Sequence, residues 1–298
     1  MTTPAKLTPL SARKLLLRSI AMEDGEALDS GDLGFMARAM VQATLPHRDP
    51  KAMQFTRRNG DFSLTITAMA PGVGLPYGRY PRLLLAWIAT EAVRTKSPDL
   101  VLGRSMSGFM EQLGLIPSGG RWGTVPQLRN QMTRLFRAAF SCAYTDADRM
   151  AGVNMAVVEA FDLWWEPKHP DQPNLFESTI SLNQRFFNEI VNRPVPIDMR
   201  ALEALKGSSL ALDIYFWATY RASYLKRATE IPWKSLQDQF GSDYADTKQG
   251  RHGFKREFLE KLTMVRAVYP DLDFSEGEHG LLAFPSRTHV PKRPPSGG

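Results

Sequence analysis

The chain has 298 residues, 37 Lys and Arg against 31 Asp and Glu, for a formal net charge of +6 and a pI near 9.4. At 43% hydrophobic it can bury real cores, which excludes a mainly disordered chain, and its length suits two domains better than one. A single Cys excludes a disulfide scaffold and a thiolate zinc cluster. The longest apolar run, Leu83 to Ala89, is far shorter than the ~20 residues of a membrane span. Arg13 and Lys14 precede Leu15 to Leu17, but Arg18 ends that stretch too soon for a secretory signal. The expected setting is therefore a reducing cytoplasm, with no membrane partner.

The elements follow in chain order. Ser11 to Met22 and Gly34 to Thr44 read as short helices of an N-terminal arm, residues 1–50. Gln54 to Arg57 and Phe62 to Thr67 alternate around Asn59-Gly60, which favours a type I′ hairpin. After the loop Pro71 to Gly78 a buried helix starts near Pro81 and runs to about Thr95. Leu100 to Leu102 is a short strand, and Ser105 can cap a helix carrying Phe109, Met110 and Leu113. The turn Gly114 to Gly123 leads to a helix from about Val125 to Phe140. Ser141 to Tyr144 and Val153 to Trp164 then read as two strands of a hairpin. Helix, short strand, helix, turn, helix, hairpin is the order of a winged helix.

The order repeats. Ser178 to Leu182 reads as a strand, Gln184 to Asn192 as a helix, and Asp198 can cap a short helix ending at Leu205. Leu210 to Lys226 is a long apolar helix, Glu230 to Pro232 an extended piece, and Lys234 to Phe240 a short helix ended by Gly241. A longer basic helix, Thr247 to about Tyr269, precedes a hairpin formed by Leu272 to Phe274 and Leu281 to Phe284. The expected fold is α+β, mainly helical, with two tandem winged-helix domains at residues 51–168 and 174–286 and a divide near Pro167 to Pro173. Residues 287–298 read as a disordered basic tail.

Charge is focused on two segments. Arg121 to Phe140 holds Arg121, Arg129, Arg134 and Arg137 and no acid; Lys248 to Arg266 holds six basic residues against Glu257 and Glu260. Such focusing marks a nucleic-acid footprint rather than a mixed solvated surface. At ~100° per residue, Leu128, Met132, Leu135 and Phe136 share one arc of the first helix, and Asn130, Arg134 and Arg137 lie opposite. In the second helix Phe254, Phe258, Leu262 and Val265 form the stripe beside Lys248, Arg251, His252, Lys255 and Arg256. Arg and amide groups reach base edges or phosphates, although an ordinary amphipathic helix shows the same pattern. Gly250 and Gly253 lower helix propensity by ~1 kcal/mol each, and close approach to a phosphodiester backbone is one reason to keep them.

Other chemistry lacks its residues. There is no Gly-Lys-Ser/Thr phosphate loop, Gly72, Gly74 and Gly78 miss the dinucleotide spacing, and the five histidines are scattered, so no metal site, cofactor or catalytic group is expected. Cys142 reads as a small core residue and Trp164-Trp165 as a core pair at a strand end.

The chain resembles the plasmid-encoded RepA replication initiators from about Leu75 to Phe284. The resemblance rests on Leu75 to Gly78, Pro81 to Ile88, Thr90 to Ala92, Leu100 to Gly103, Leu128 to Met132 with Arg134 to Phe136, and Asp162 to Trp165. It continues through Asn183 to Phe187, Pro194 to Asp198, Ala201-Leu202 with Leu205, Asp213 to Tyr215 with Trp217, Phe240-Gly241, Lys248 to Gly250 and Phe254-Lys255. It implies a tandem winged-helix protein that binds repeated double-stranded sites at a plasmid origin and recruits host replication proteins. In that scheme the C-terminal module does most of the sequence reading, and the N-terminal one touches DNA or forms a homodimer. Arg251, Lys255 and Arg256 would enter a major groove with Lys248 at its rim. Arg129, Arg134 and Arg137 would meet DNA about one helical turn, ~34 Å, away. The alternative is a winged-helix transcriptional repressor without an initiation role.

Overall fold

The computed structural model describes residues 33–166, 169–241 and 244–290. The expected helix at 11–22 and most of the expected tail lie outside these. The chain divides into two compact units, residues 35–194 and residues 195–298 with 1–34. The boundary thus falls at Pro194/Val195 and not near 167–173. Among the described residues no helix is long and apolar enough to cross a membrane.

Residues 33–44 are not one helix: β1 (Leu33–Ala37) precedes the five-residue α1 (Arg38–Gln42). A Cβ at Gly34 would overlap the Met199 thioether, so the chain runs extended where it passes at close range. β2 (Gln54–Asn59) and β3 (Phe62–Ala68) form the expected hairpin. Its two turn residues are Gly60 and Asp61, one step later than Asn59-Gly60 suggests. Gly60 takes φ +58° and Asp61 is not among the positive-φ residues, so the turn is not type I′.

Helix α2 (Arg79–Thr95) is the first unit's core, with every residue from Tyr80 to Ala89 buried. β4 (Asp99–Gly103) and α3 (Met106–Gln112) follow as expected, and Ser105 caps α3 by accepting from the Gly108 amide. α4 (Thr124–Phe136) starts as expected but stops short of Phe140, because the chain is already extended from Ala138.

The hairpin is where the structure departs from the sequence pattern. β5 (Ala138–Thr145) and β6 (Met150–Ala156) pair with each other and join β2 and β3 in a four-stranded sheet of order β2-β3-β5-β6. The expected strand Val153 to Trp164 is cut at Val157. Val157 and Val158 are both buried, and successive side chains of one strand point to opposite faces, so the chain changes sheets there. β7 (Val158–Asp162) then pairs with β8 (Ser178–Leu182), and β8 pairs with β4, giving the order β4-β8-β7. Ser178 to Leu182 therefore closes the first unit, as does α5 (Gln184–Asn192). In the loop between β7 and β8, Trp165 stacks on Phe109 at 5.3 Å and donates to the Gly103 carbonyl, while Trp164 stays 43% exposed.

From Asp198 onward the second unit keeps the expected order, whereas the strand that leads into Asp198 is not among the expected elements. After β9 (Pro194–Asp198), Asp198 caps α6 (Met199–Leu205), and Ser208 caps α7 (Ser209–Ala222), buried without a break from Leu210 to Thr219. β10 (Thr229–Pro232), α8 (Trp233–Phe240), α9 (Lys248–Val268), β11 (Phe274–Glu276) and β12 (Gly280–Ala283) follow. The sheet order is β10-β12-β11, the same arrangement as β4-β8-β7. Trp217 of α7 meets Phe240, Phe258 and Phe274 at 5.5–6.5 Å edge to face, which ties α8, α9 and the hairpin to one helix.

The expected disordered tail begins too early at 287. Tyr269 donates its hydroxyl to the Arg287 carbonyl, Val290 is 3% exposed, and His289 stacks on Tyr269 at 4.5 Å. These aromatic and apolar groups bury the segment against α7 and the end of α9. The Tyr215 hydroxyl accepts from the Asp198 amide at 2.8 Å and lies within hydrogen-bonding distance, 2.9 Å, of His289 Nδ1. Burial holds the His289 pKa below its ordinary value. Below about pH 6.5 the unfolded chain then binds more protons than the folded one, and stability falls as pH falls. His289→Asn keeps an acceptor but cannot titrate. It should flatten the loss of thermal stability between about pH 7 and pH 5 that the wild type shows by scanning calorimetry.

Candidate nucleic-acid interface

In the second unit, Thr247 caps α9 by accepting from the Gly250 amide. The five expected site residues lie on its first half and fall into two rows. Lys248, His252 and Arg256, spaced i, i+4, i+8, are exposed and make no ion pair or ring contact among the described residues. Arg251 and Lys255 form the neighbouring row and are engaged. Arg251 pairs with Asp246 at 2.8 Å, and this hydrogen bond, with nearby Lys234, holds the Asp246 carboxyl below its ordinary pKa. Lys255 pairs with Glu276 of the β11–β12 hairpin at 2.7 Å and sits 4.9 Å over the Trp233 ring. The structure thus keeps all five on one side of the helix, and of the five only Lys248, His252 and Arg256 meet no charged or aromatic partner among the described residues.

Gly250, unlike Gly253, has an internal explanation. A Cβ at Gly250 would overlap the Ala245 carbonyl oxygen, and one at Gly253 would touch the Tyr244 ring at 3.5 Å. The turn at 244–247 therefore requires the small residue at 250, and no phosphodiester chain is needed to explain it.

In the first unit α4 is entered through a locked turn. Ser118 and Thr124 bond reciprocally: each backbone amide donates to the other's hydroxyl at 2.9 Å. The Val125 amide donates to the Ser118 carbonyl, and a Cβ at Gly123 would overlap the carbonyls of Ser118 and Gly119. Of the expected residues, Arg121, Arg129, Asn130 and Arg137 are exposed. Arg121 lies over the Trp122 ring at 5.1 Å and Arg137 over Phe161 at 6.0 Å. Arg129 and Asn130 line an open depression of about 670 Å³ with Gly119, Gly120, Thr133 and Pro170.

Arg134 is the exception. Its side chain, 15% exposed, donates to the Leu75 carbonyl at 3.0 Å, pairs with Asp49 at 3.4 Å and lies 5.2 Å over the Tyr77 ring. Gln131, one turn earlier, accepts from the Tyr77 amide at 2.9 Å. Both residues hold the loop 71–78 against α4, so Arg134 is an anchor and not part of the exposed face. A helical wheel places it beside Arg137 because it carries no information about a loop more than fifty residues away. Trp122, absent from the expected site, is 79% exposed; its sequence signal is an aromatic beside Arg121 in an acid-free run.

Arg134→Ala should lower stability by about 1–3 kcal/mol, since it removes a charged donor and leaves the Leu75 carbonyl unpaired. Arg137→Ala, on an exposed site, should change stability by less than about 0.5 kcal/mol. Urea unfolding of the two variants checks the difference.

The family model described as plasmid encoded RepA protein matches residues 75–234 of this chain, from the loop held by Arg134 into α8. No curated protein matches the chain. Among solved structures, the crystal structure of selenomethionine derivatives of domain 2 and domain 3 of RctB is similar at 11% identity. Its TM-score is 0.52, covering 84% of this chain and 99% of that one. A second structure, RctB domains 2–3, has 11% identity and a TM-score of 0.48, covering 82% and 94%. At such identity the first comparison speaks to fold, whereas the family match spans more than half of the sequence. The chain belongs to the family of plasmid-encoded RepA proteins.

Proposed function

We propose that this chain is a plasmid replication initiator that binds repeated sites in double-stranded origin DNA through two winged-helix units and recruits host replication proteins without catalysing a reaction itself. The observation that carries the reading is the repeated sheet order, β4-β8-β7 and β10-β12-β11. Each follows a helix, strand, helix, helix succession, and each succession ends in a helix with exposed basic residues on or beside it: Arg121, Arg129 and Arg137 at α4, and Lys248, His252 and Arg256 on α9. Membership of the RepA family supports the initiation role.

In this mechanism α9 enters a major groove with Lys248, His252 and Arg256 leading. Arg251 and Lys255 follow by exchanging Asp246 and Glu276 for phosphate. For Arg251 that exchange costs little, because exposed ion pairs contribute only about 0–1 kcal/mol; half-buried Lys255 would also have to leave the Trp233 ring. Arg121, Arg129, Asn130 and Arg137 of the first unit meet the backbone or an adjacent groove. One chain would then read one repeat with two units, and a dimer in free solution would rearrange before binding. The whole reading is a cytoplasmic one, with DNA and host replication proteins as partners.

The electrostatic part is checked with a duplex that the protein itself selects from a random-sequence library. Replacing Arg129 and Arg137 together by Ala should flatten the dependence of log K on log[salt] by about two contacts, each worth a slope of roughly −0.9. An unchanged slope would assign the first unit to a protein partner.

Initiation is checked separately from binding. A circle that carries the selected repeats and this gene, and no other origin, should persist in a bacterial host. Its persistence should be lost with Lys248→Ala and Arg256→Ala combined. Retained DNA binding with no persistence of the wild-type circle would favour a repressor.

A further inference from the structure

The turn before α4 presents the most exposed tryptophan among the described residues, and it does so rigidly. Trp122 is 79% exposed, where an indole normally hides most of its surface. Its carbonyl accepts from the Gln127 side chain at 2.7 Å, the Arg121 guanidinium lies over its ring, and the Ser118–Thr124 bonds fix the turn on both sides. The first-turn amides of α4 are occupied: Thr124 donates to the Ser118 hydroxyl, Val125 to the Ser118 carbonyl, and Pro126 has no N–H. The helix terminus therefore offers no free donors to an anion, and whatever binds here must be met by side chains.

The charge around the turn selects the partner. No acid occurs between Glu111 and Asp146, while Arg121, Arg129 and Arg137 are exposed in that interval. The depression lined by Gly119, Gly120, Arg129 and Asn130 borders the same turn, and no carboxylate among the described residues lines it. An exposed aromatic ring in a cationic surface complements a polyanion that carries flat apolar faces, which is DNA.

We propose that Trp122 is a wedge: its indole stacks on a nucleobase at an opened or kinked step of the bound duplex, and Arg121 pairs with the adjacent phosphate. This rests on the DNA-binding reading above and adds to it a residue that distorts the site. An inserted side chain unstacks a base step, so a site that is already weakened there binds more tightly.

The test uses the full chain and the library-selected duplex, remade as a series in which one mismatch moves through successive positions. Wild type should bind about five-fold more tightly when the mismatch lies at one or two adjacent positions. Trp122→Ala should lose that tightening and bind the matched duplex about five- to a hundred-fold more weakly. Trp122→Phe, which keeps a smaller ring, should retain part of both. Unfolding curves of both variants should overlay the wild type, because the ring is exposed. If no mismatch position tightens wild-type binding, or if Trp122→Ala keeps the tightening, the wedge is wrong and the DNA-binding reading stands. A wild-type chain that selects no duplex at all overturns both.

Discussion

A strand of four or five residues between two helices cannot persist by itself, because every backbone amide and carbonyl it exposes needs a partner. In both units that strand, β4 or β10, is completed by the second strand of a hairpin that comes after the basic helix. Asp99 pairs opposite Ser181 and Thr229 opposite Ala283. This pairing fixes where the two helices between strand and hairpin must lie, and so fixes the face that α4 or α9 turns outward. The basic residues are exposed as a consequence of closing the sheet.

The first unit shows how tolerant the arrangement is to insertion. Between α4 and β7 the chain inserts the hairpin β5–β6, which pairs with β3 in an unrelated sheet before the three-stranded one is completed. Closure entropy rises only slowly with loop length, so interposing these residues costs little if the insertion buries its own apolar face. Leu64, Ile66, Phe140 and Met155 do that, each under 9% exposed.

Charge on the two helices is partitioned by neighbours that are remote in sequence. Lys255 is drawn to Glu276 on the hairpin and Arg134 to Asp49 and the Leu75 carbonyl. Lys248, Arg256, Arg129 and Arg137 meet no carboxylate among the described residues. A basic helix therefore has two kinds of cation: those that organise the unit and those that stay exposed. The rigid Ser118–Gly123 turn belongs to the second group, since its bonds hold Arg121 and Trp122 outward.

Local patterns determined a good deal. The apolar stripe Phe254, Phe258, Leu262 and Val265, the caps at Ser105 and Asp198 and the order of elements in the second unit all follow from periodicity and side-chain chemistry that act within a few residues. The family was likewise legible in the residues from Leu75 onward. Tertiary structure decided what depends on distant partners. It assigned Ser178 to Leu182 to the first unit through β4, and cut Val153 to Trp164 into strands of two sheets. It turned Arg134 inward, explained Gly250 by the Ala245 carbonyl, and packed His289 and Val290 into the core. Helical and strand periods record which side of an element is apolar, whereas partner choice is set by hydrogen-bonding groups and cavities that meet only after the chain has folded.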